Sequence, residues 1–141
     1  MTVVDKLFRM KPFSTVKLYG LALSAAQRLG DVVWTELTAE MLAASHAQES
    51  EGEGIVNFIA GTEEARVAVL LYRHPDGYRV SMRAIADDVD VSRLAALYGG
   101  GGHARAAGCR LPPGEAARDP FLRDIAERVS PHPTRVQSLE R

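Results

Sequence analysis

Four of the twelve glycines in this chain stand in one unbroken run, Gly99 to Gly102, and His103 stands directly behind them. Glycine is the costliest residue to order, so such a run in a folded protein marks backbone that takes positive φ or lies where no side chain fits. Backbone N–H groups freed of side chains can converge on an anion such as phosphate, and a helix start beyond the run would add favourable partial charge. The plainer reading is a hinge between two elements. The small residues that follow, Ala104, Ala106, Ala107 and Gly108, favour close packing over a linker, which would carry serine and solvated charge. A Walker A loop is excluded, because His103 and Ala104 stand where it needs Lys and then Ser or Thr. The loose G-x-G-x-x-A match at Gly99, Gly101 and Ala104 follows a helical pattern, where the dinucleotide fold requires a strand.

A second group lies upstream. "HPDG" (His74 to Gly77) is a turn with Pro and Gly in their preferred places, so "YRVSMR" returns as the second arm of a hairpin. Alternation then sets Tyr78, Val80 and Met82 on one face and Arg79, Ser81 and Arg83 on the other. Arg83 on that polar face can clamp phosphate oxygens with two parallel bonds. Arg79 reads as a solvated surface cation.

The elements that must carry these residues alternate in type. An amphipathic helix is expected from Pro12 to Leu29, stopped by Gly30, then a strand over "DVVWTEL" (Asp31 to Leu37) and a helix capped by Thr38. "SHAQESEGEG" reads as a polar connection with Glu49, Glu51 and Glu53 solvated, before a strand from Ile55 to Ala60. "RVAVLLYR" (Arg66 to Arg73), apolar on both faces, belongs in the middle of a sheet. The spacing of Val91, Leu94, Leu97 and Tyr98 predicts a helix ending at Gly99, with Asp90 or Ser92 as its cap. "ARAAG" after His103 reads as a brief helical turn, "CRL" as a strand and "PPGEAARDPFLRDIAERV" as a closing helix. The expected fold is α/β: one substrate-binding domain with a mixed sheet of about five strands flanked by helices. Residues 1–50 are a linker helix and the start of the domain, 51–130 its core, and 131–141 a flexible tail.

The chain has 141 residues, 46% hydrophobic and 25% charged, which suits one ordinary globular unit. A net charge of −1 provides no overall basic field, so a polyanion must be held by a local site. Cys109 is the only cysteine, which excludes an internal disulfide and paired-thiolate metal sites. It reads as a small buried apolar residue. The N-terminus lacks a signal-peptide layout and no apolar run reaches membrane-spanning length, so a soluble, cytoplasmic protein without a membrane partner is expected.

The same residues carry a resemblance. "GGGGHARAAG" is similar to the G-G-G-H-x-x-A-A-G signature of the DHH-associated C-terminal domain, the substrate-binding half of the DHH phosphoesterases. The order "EGEGIVNF", "VAVLLYR", Ser81 with Arg83, and "VDV" (Val89 to Val91) resembles the branch of nanoRNases, or oligoribonucleases, that also dephosphorylate 3′-phosphoadenosine 5′-phosphate. It covers Glu51 to Leu111.

The resemblance implies a cleft shared with an N-terminal domain whose Asp and His ligands hold Mn²⁺ or Mg²⁺. This chain has no Asp-His-His segment, and His46, His74, His103 and His132 are scattered. The resemblance therefore implies a C-terminal part of a longer enzyme, with no catalytic or metal-binding residues of its own and with the N-terminal DHH domain as partner. Gly100, Gly101 and Gly102 would offer amides to a phosphate or a 3′ end, His103 would donate to the scissile phosphate, and Arg83, beside Ser81, would be the paired cation. Asn57 would contact sugar or base. Ligands would be short single-stranded RNA or DNA, or nucleotide phosphates, and a homodimer could form through the full-length protein. The alternatives are a recognition module, as in single-strand exonucleases or alanyl-tRNA synthetases, and a dimerisation domain with a dead site. The lack of aromatic residues interleaved with basic ones argues against binding of long single strands.

Overall fold

The computed structural model describes residues 11–131. The expected flexible tail, His132 included, lies outside the described residues save for Pro131. In chain order the elements are α1 (Phe13–Ser24), β1 (Gln27–Leu29), β2 (Val32–Leu37), α2 (Ala39–Ser45), a 3-10 turn (Glu49–Gly52) and α3 (Glu53–Ile59). There follow β3 (Val67–His74), β4 (Gly77–Ala84), α4 (Val91–Ala96), β5 (Gly101–Gly102), β6 (Ala106–Leu111) and α5 (Glu115–Val129). The strands form one mixed sheet in the order β1-β2-β3-β4-β6-β5. It has six strands where the sequence suggests about five: two short ones, β1 and β5, are added at its edges, and the one expected over Ile55 to Ala60 is a helix. Only β2 and β3 pair in parallel.

β3 lies inside the sheet and is buried from Val67 to Tyr72, as its two-sided apolar run requires. Its alternate residues feed two cores. Val67, Val69 and Leu71 join Tyr78, Val80, Met82, Ala107, Cys109 and Leu111 beneath α4 and α5. Ala68, Leu70 and Tyr72 join Leu18, Ala22, Ile55, Val56 and Ile59 of α1 and α3 on the opposite face. The helical layer on this second face covers β2 and β3 and leaves the β4-β6-β5 half bare, with Arg79, Ser81, Arg83, Ala106 and Gly108 half-buried and Arg110 exposed.

Five expectations are corrected. The first helix stops at Ser24, and Leu29 belongs to β1, which pairs with β2 across Gly30 and Asp31. Gly30, at φ +58°, turns a hairpin and ends no helix. The segment expected as a strand from Ile55 to Ala60 is α3, and the burial of Ile55, Val56 and Ile59 follows a helical period. The acids before it are not a solvated connection. Glu51 accepts from Ser14 Oγ at 2.6 Å, Thr15 Oγ1 at 2.7 Å and the Gln48 amide at 2.6 Å, and these bonds hold its carboxyl below the usual range while tying α1 to the 3-10 turn. "ARAAG" makes no helical turn: Ala104 and Arg105 bend, and β6 begins at Ala106. In the helix before the glycine run, Val91, Leu94 and Ala95 are buried, but Leu97 is 54% exposed, so it leaves the expected apolar face. Thr38 and Asp90 cap α2 and α4, as their types predict.

Candidate anion-binding cleft

The bare half of the sheet is organised by its register. In the β4–β6–β5 ladder Ser81 faces Gly108, and Gly108 faces Gly101. Cross-strand partners point to the same side, so this row crosses three strands with no side chain larger than a hydroxymethyl group. The neighbouring row on one side holds Arg83 opposite Ala106, and on the other Arg79 opposite Arg110. The result is an open cleft of about 620 Å³, floored by Ser81, Gly108 and Gly101 and banked by three arginines.

Arg83 is held from two sides. Its Nε donates to Asn57 Oδ1 at 2.9 Å and its Nη1 to the Met82 carbonyl at 3.0 Å. Asn57, which the resemblance marks as a contact to sugar or base, here orients the guanidinium. This link from α3 to β4 needs Asn57 on a helix, where the sequence reading put a strand.

The glycines divide by what each backbone needs. Gly99, at φ +77°, ends α4 in the left-handed conformation, and its Cβ would meet open space. At Gly100 a Cβ would stand 2.0 Å from the Gly108 carbonyl oxygen, so the loop can lie against β6 only without one. Gly102, at φ +145°, has both constraints, with Ala106 O and Ala107 Cα each 2.7 Å from a would-be Cβ. Gly101 has neither: its φ lies outside the left-handed range and its Cβ would meet nothing within 4 Å. Nothing among the described residues excludes a side chain at Gly101.

The expected cradle of three converging amides is corrected. The Gly100 amide donates to Ala95 O at 2.9 Å and that of His103 to Ala106 O at 2.8 Å. Because His103 and Ala106 exchange bonds in both directions, Gly101 and Gly108 form the next exchanging pair of the ladder. Only the Gly102 amide turns outward, at the free edge of β5. No helix starts beyond the run either, so the positive pole expected there is replaced by a hairpin. His103 is exposed beside the cleft and is not among the residues lining it.

Two further residues belong to the site. Arg79 is no free surface cation: its guanidinium lies 3.7 Å from the centroid of the Tyr72 ring and 3.5 Å from Glu49. Glu49 is shared with His74, whose Nε2 is 2.9 Å away. Arg110 is exposed, with no side-chain partner among the described residues. Sequence reasoning missed Arg110 and Gly108 because their places depend on the β4–β6 register. The available clue was the alternation of Ala106, Gly108 and Arg110 along a strand.

The remaining candidates lie elsewhere. Cys109 points into the core beneath the cleft, where burial pushes its thiol up to about 11, so it is an inert apolar residue as expected. His46 caps α2 with φ +58°. Tyr98, at the foot of the glycine run, stacks edge-on against Phe121 at 4.8 Å and donates its hydroxyl to Asp124, which ties the loop to α5. Among the described residues no three His, Cys, Asp or Glu side chains converge to hold a metal ion. No helix among them is long and apolar enough to cross a membrane.

Comparison with known proteins gives a consistent family. The model of the DHHA1 domain matches residues 38–130. A 33-residue segment is 61% identical to oligoribonuclease NrnB of Bacillus subtilis, covering 23% of this chain and 8% of that protein. Among solved structures, an exopolyphosphatase-related protein of Bacteroides fragilis superposes on 97% of the chain with a TM-score of 0.78 at 20% identity. The pGpG-specific phosphodiesterase PggH of Vibrio cholerae superposes on 89% with a TM-score of 0.56 at 14% identity. The C-Ala domain of Aquifex aeolicus alanyl-tRNA synthetase does so on 72%, with a TM-score of 0.52 at 15% identity. At these identities the likeness is one of fold. The chain covers 39% and 40% of the first two of these structures and 95% of the third.

Proposed function

Because the chain belongs to the DHHA1 domain family, we propose that its bare sheet face is the substrate-holding wall of a DHH phosphoesterase, seating a short oligonucleotide or a nucleotide phosphate such as 3′-phosphoadenosine 5′-phosphate. Arg83 grips a phosphate group, the Ser81 hydroxyl donates to the same group, and the ligand lies along the floor of Gly108 and Gly101. His103, exposed at the rim, donates to the scissile phosphate once a DHH domain closes over the cleft. The metal-activated chemistry belongs to that domain, where Mn²⁺ or Mg²⁺ is expected. The supporting observation is the row Ser81–Gly108–Gly101, with no side chain beyond the Ser81 hydroxymethyl group and bordered by a guanidinium already oriented by Asn57.

The test is a titration of the purified chain with a 5′-phosphorylated dinucleotide, read by amide shifts and calorimetry. Shifts are expected at Gly101, Gly102, Gly108 and along β4, with no hydrolysis by this chain alone. Arg83→Ala removes a charge-assisted interaction worth about 1.5–3 kcal/mol, so affinity should fall roughly 10- to 100-fold. Shifts confined to other surfaces, or an unchanged affinity in Arg83→Ala, would overturn the assignment. A ten-residue oligonucleotide should bind no tighter than the dinucleotide. Binding an order of magnitude tighter would favour instead a recognition module for long strands, the reading to which the C-Ala fold is relevant.

A further inference from the structure

The bank opposite Arg83 has no role in a site for one phosphate group. Arg79 and Arg110 are direct cross-strand partners of β4 and β6 on the open face. Two like charges so placed repel each other. Glu49 offsets part of the charge at Arg79, but its other oxygen is engaged by His74, and Arg110 has no partner among the described residues. Arg79 and Arg83 are four residues apart, roughly 13 Å along the strand. Neither is free to swing toward the other, since the Arg79 guanidinium lies over the Tyr72 ring at 3.7 Å and is paired with Glu49, and Arg83 is bound to Asn57 and to the Met82 carbonyl. One phosphate group therefore cannot take both.

We propose that Arg79 and Arg110 form a second anion subsite, so that the ligand this cleft holds best carries two separated phosphate groups, the scissile one on Arg83 with His103 at its rim and the other on the opposite bank, with the intervening sugar over Gly108. The class is a 5′-phosphorylated dinucleotide, and the subsite is what distinguishes it from a nucleoside monophosphate. This inference rests on the assignment of Arg83 to the first phosphate. Arg110 carries the test because it is exposed and has no partner among the described residues, so its loss leaves the fold intact.

The experiment is calorimetric titration of the whole chain with pApA and with AMP, for the unaltered protein and for Arg110→Ala, Arg110→Lys and Arg83→Ala, with thermal melts of each. Arg110→Ala should weaken pApA about tenfold and leave AMP within twofold, Arg110→Lys should restore most of the loss, and Arg83→Ala should weaken both ligands. Unchanged pApA affinity in Arg110→Ala, or equal weakening of both ligands, overturns the second subsite. If Arg83→Ala weakens both ligands while Arg110→Ala weakens neither, only the subsite falls. If Arg83→Ala changes nothing, or the unaltered chain binds neither ligand, the function proposed above falls with it.

Discussion

Gly100→Ala is expected to melt well below the unaltered protein, whereas Gly101→Ala, one residue along the same run, should melt at the same temperature or slightly above it and lose its ligand. At Gly100 a methyl group would sit 2.0 Å from a backbone carbonyl and 2.7 Å from Cys109 Cβ, so β6 or the whole loop must move. Neither yields as a side-chain rotamer would. Overpacking of this kind costs about 3 kcal/mol, at the upper end of its range, which for a domain of this size is on the order of 10 °C in melting temperature. At Gly101 there is open space and an ordinary φ, so alanine narrows the unfolded ensemble at no cost to the folded one and changes stability by about 0.5 kcal/mol in its favour. The methyl group nonetheless projects from the floor, because Gly101 faces Gly108 in the ladder. A ligand resting there must rise or clash, and affinity for the dinucleotide should fall at least about tenfold. Circular-dichroism melts and calorimetry on the two variants separate the effects. A Gly101→Ala protein that binds normally would show that the ligand does not lie on the floor.

That contrast shows where sequence reading succeeds and where it stops. The face of Arg79, Ser81 and Arg83 is legible because a two-residue turn, Pro75 and Asp76, fixes the hairpin and period-two alternation does the rest. Both determinants are local. The central place of β3 is legible because only a doubly covered strand reads apolar throughout. The family motif likewise marks the glycine run, yet motif and composition give all four glycines one meaning, while their Cβ environments give them different ones. α3 is misread because Ile55, Val56, Phe58 and Ile59 favour a strand by residue type, and packing against β3 and α1 overrides that preference. The error hides the bond from Asn57 to Arg83, which a β-strand reading cannot suggest. Arg110 is illegible for a different reason. Its partner Arg79 is fixed by strand pairing across 31 positions, and nothing near Arg110 announces it.

Arg118→Ala should show the complementary outcome, a large loss of stability with little loss of binding. Arg118 lies near the start of α5 with its side chain 15% exposed, donating Nη1 to Glu36 Oε1 at 2.9 Å and Nε to Asp119 at 2.8 Å. Its guanidinium also lies 5.0 Å from the centroid of the Trp34 ring. Removing it leaves the Glu36 carboxylate, 10% exposed, with Arg73 as its remaining cation at 3.1 Å. Breaking a buried pair costs about 3–5 kcal/mol, and the surviving Arg73 contact puts this case near about 3 kcal/mol, again on the order of 10 °C. Arg118→Lys should recover only part of this, since a lysine cannot bridge Glu36 and Asp119 with one planar fork while lying over an indole. Trp34 and Glu36 alternate with Val33 and Leu37 along β2, so they face the core beneath α5, away from the cleft. At 25 °C, where the variant is still folded, dinucleotide affinity should remain within about twofold, because neither bank nor floor has moved. A tenfold loss would mean that α5 sets the shape of the floor through Val80 and Cys109, and that the cleft is not an independent feature of the β4–β6 register.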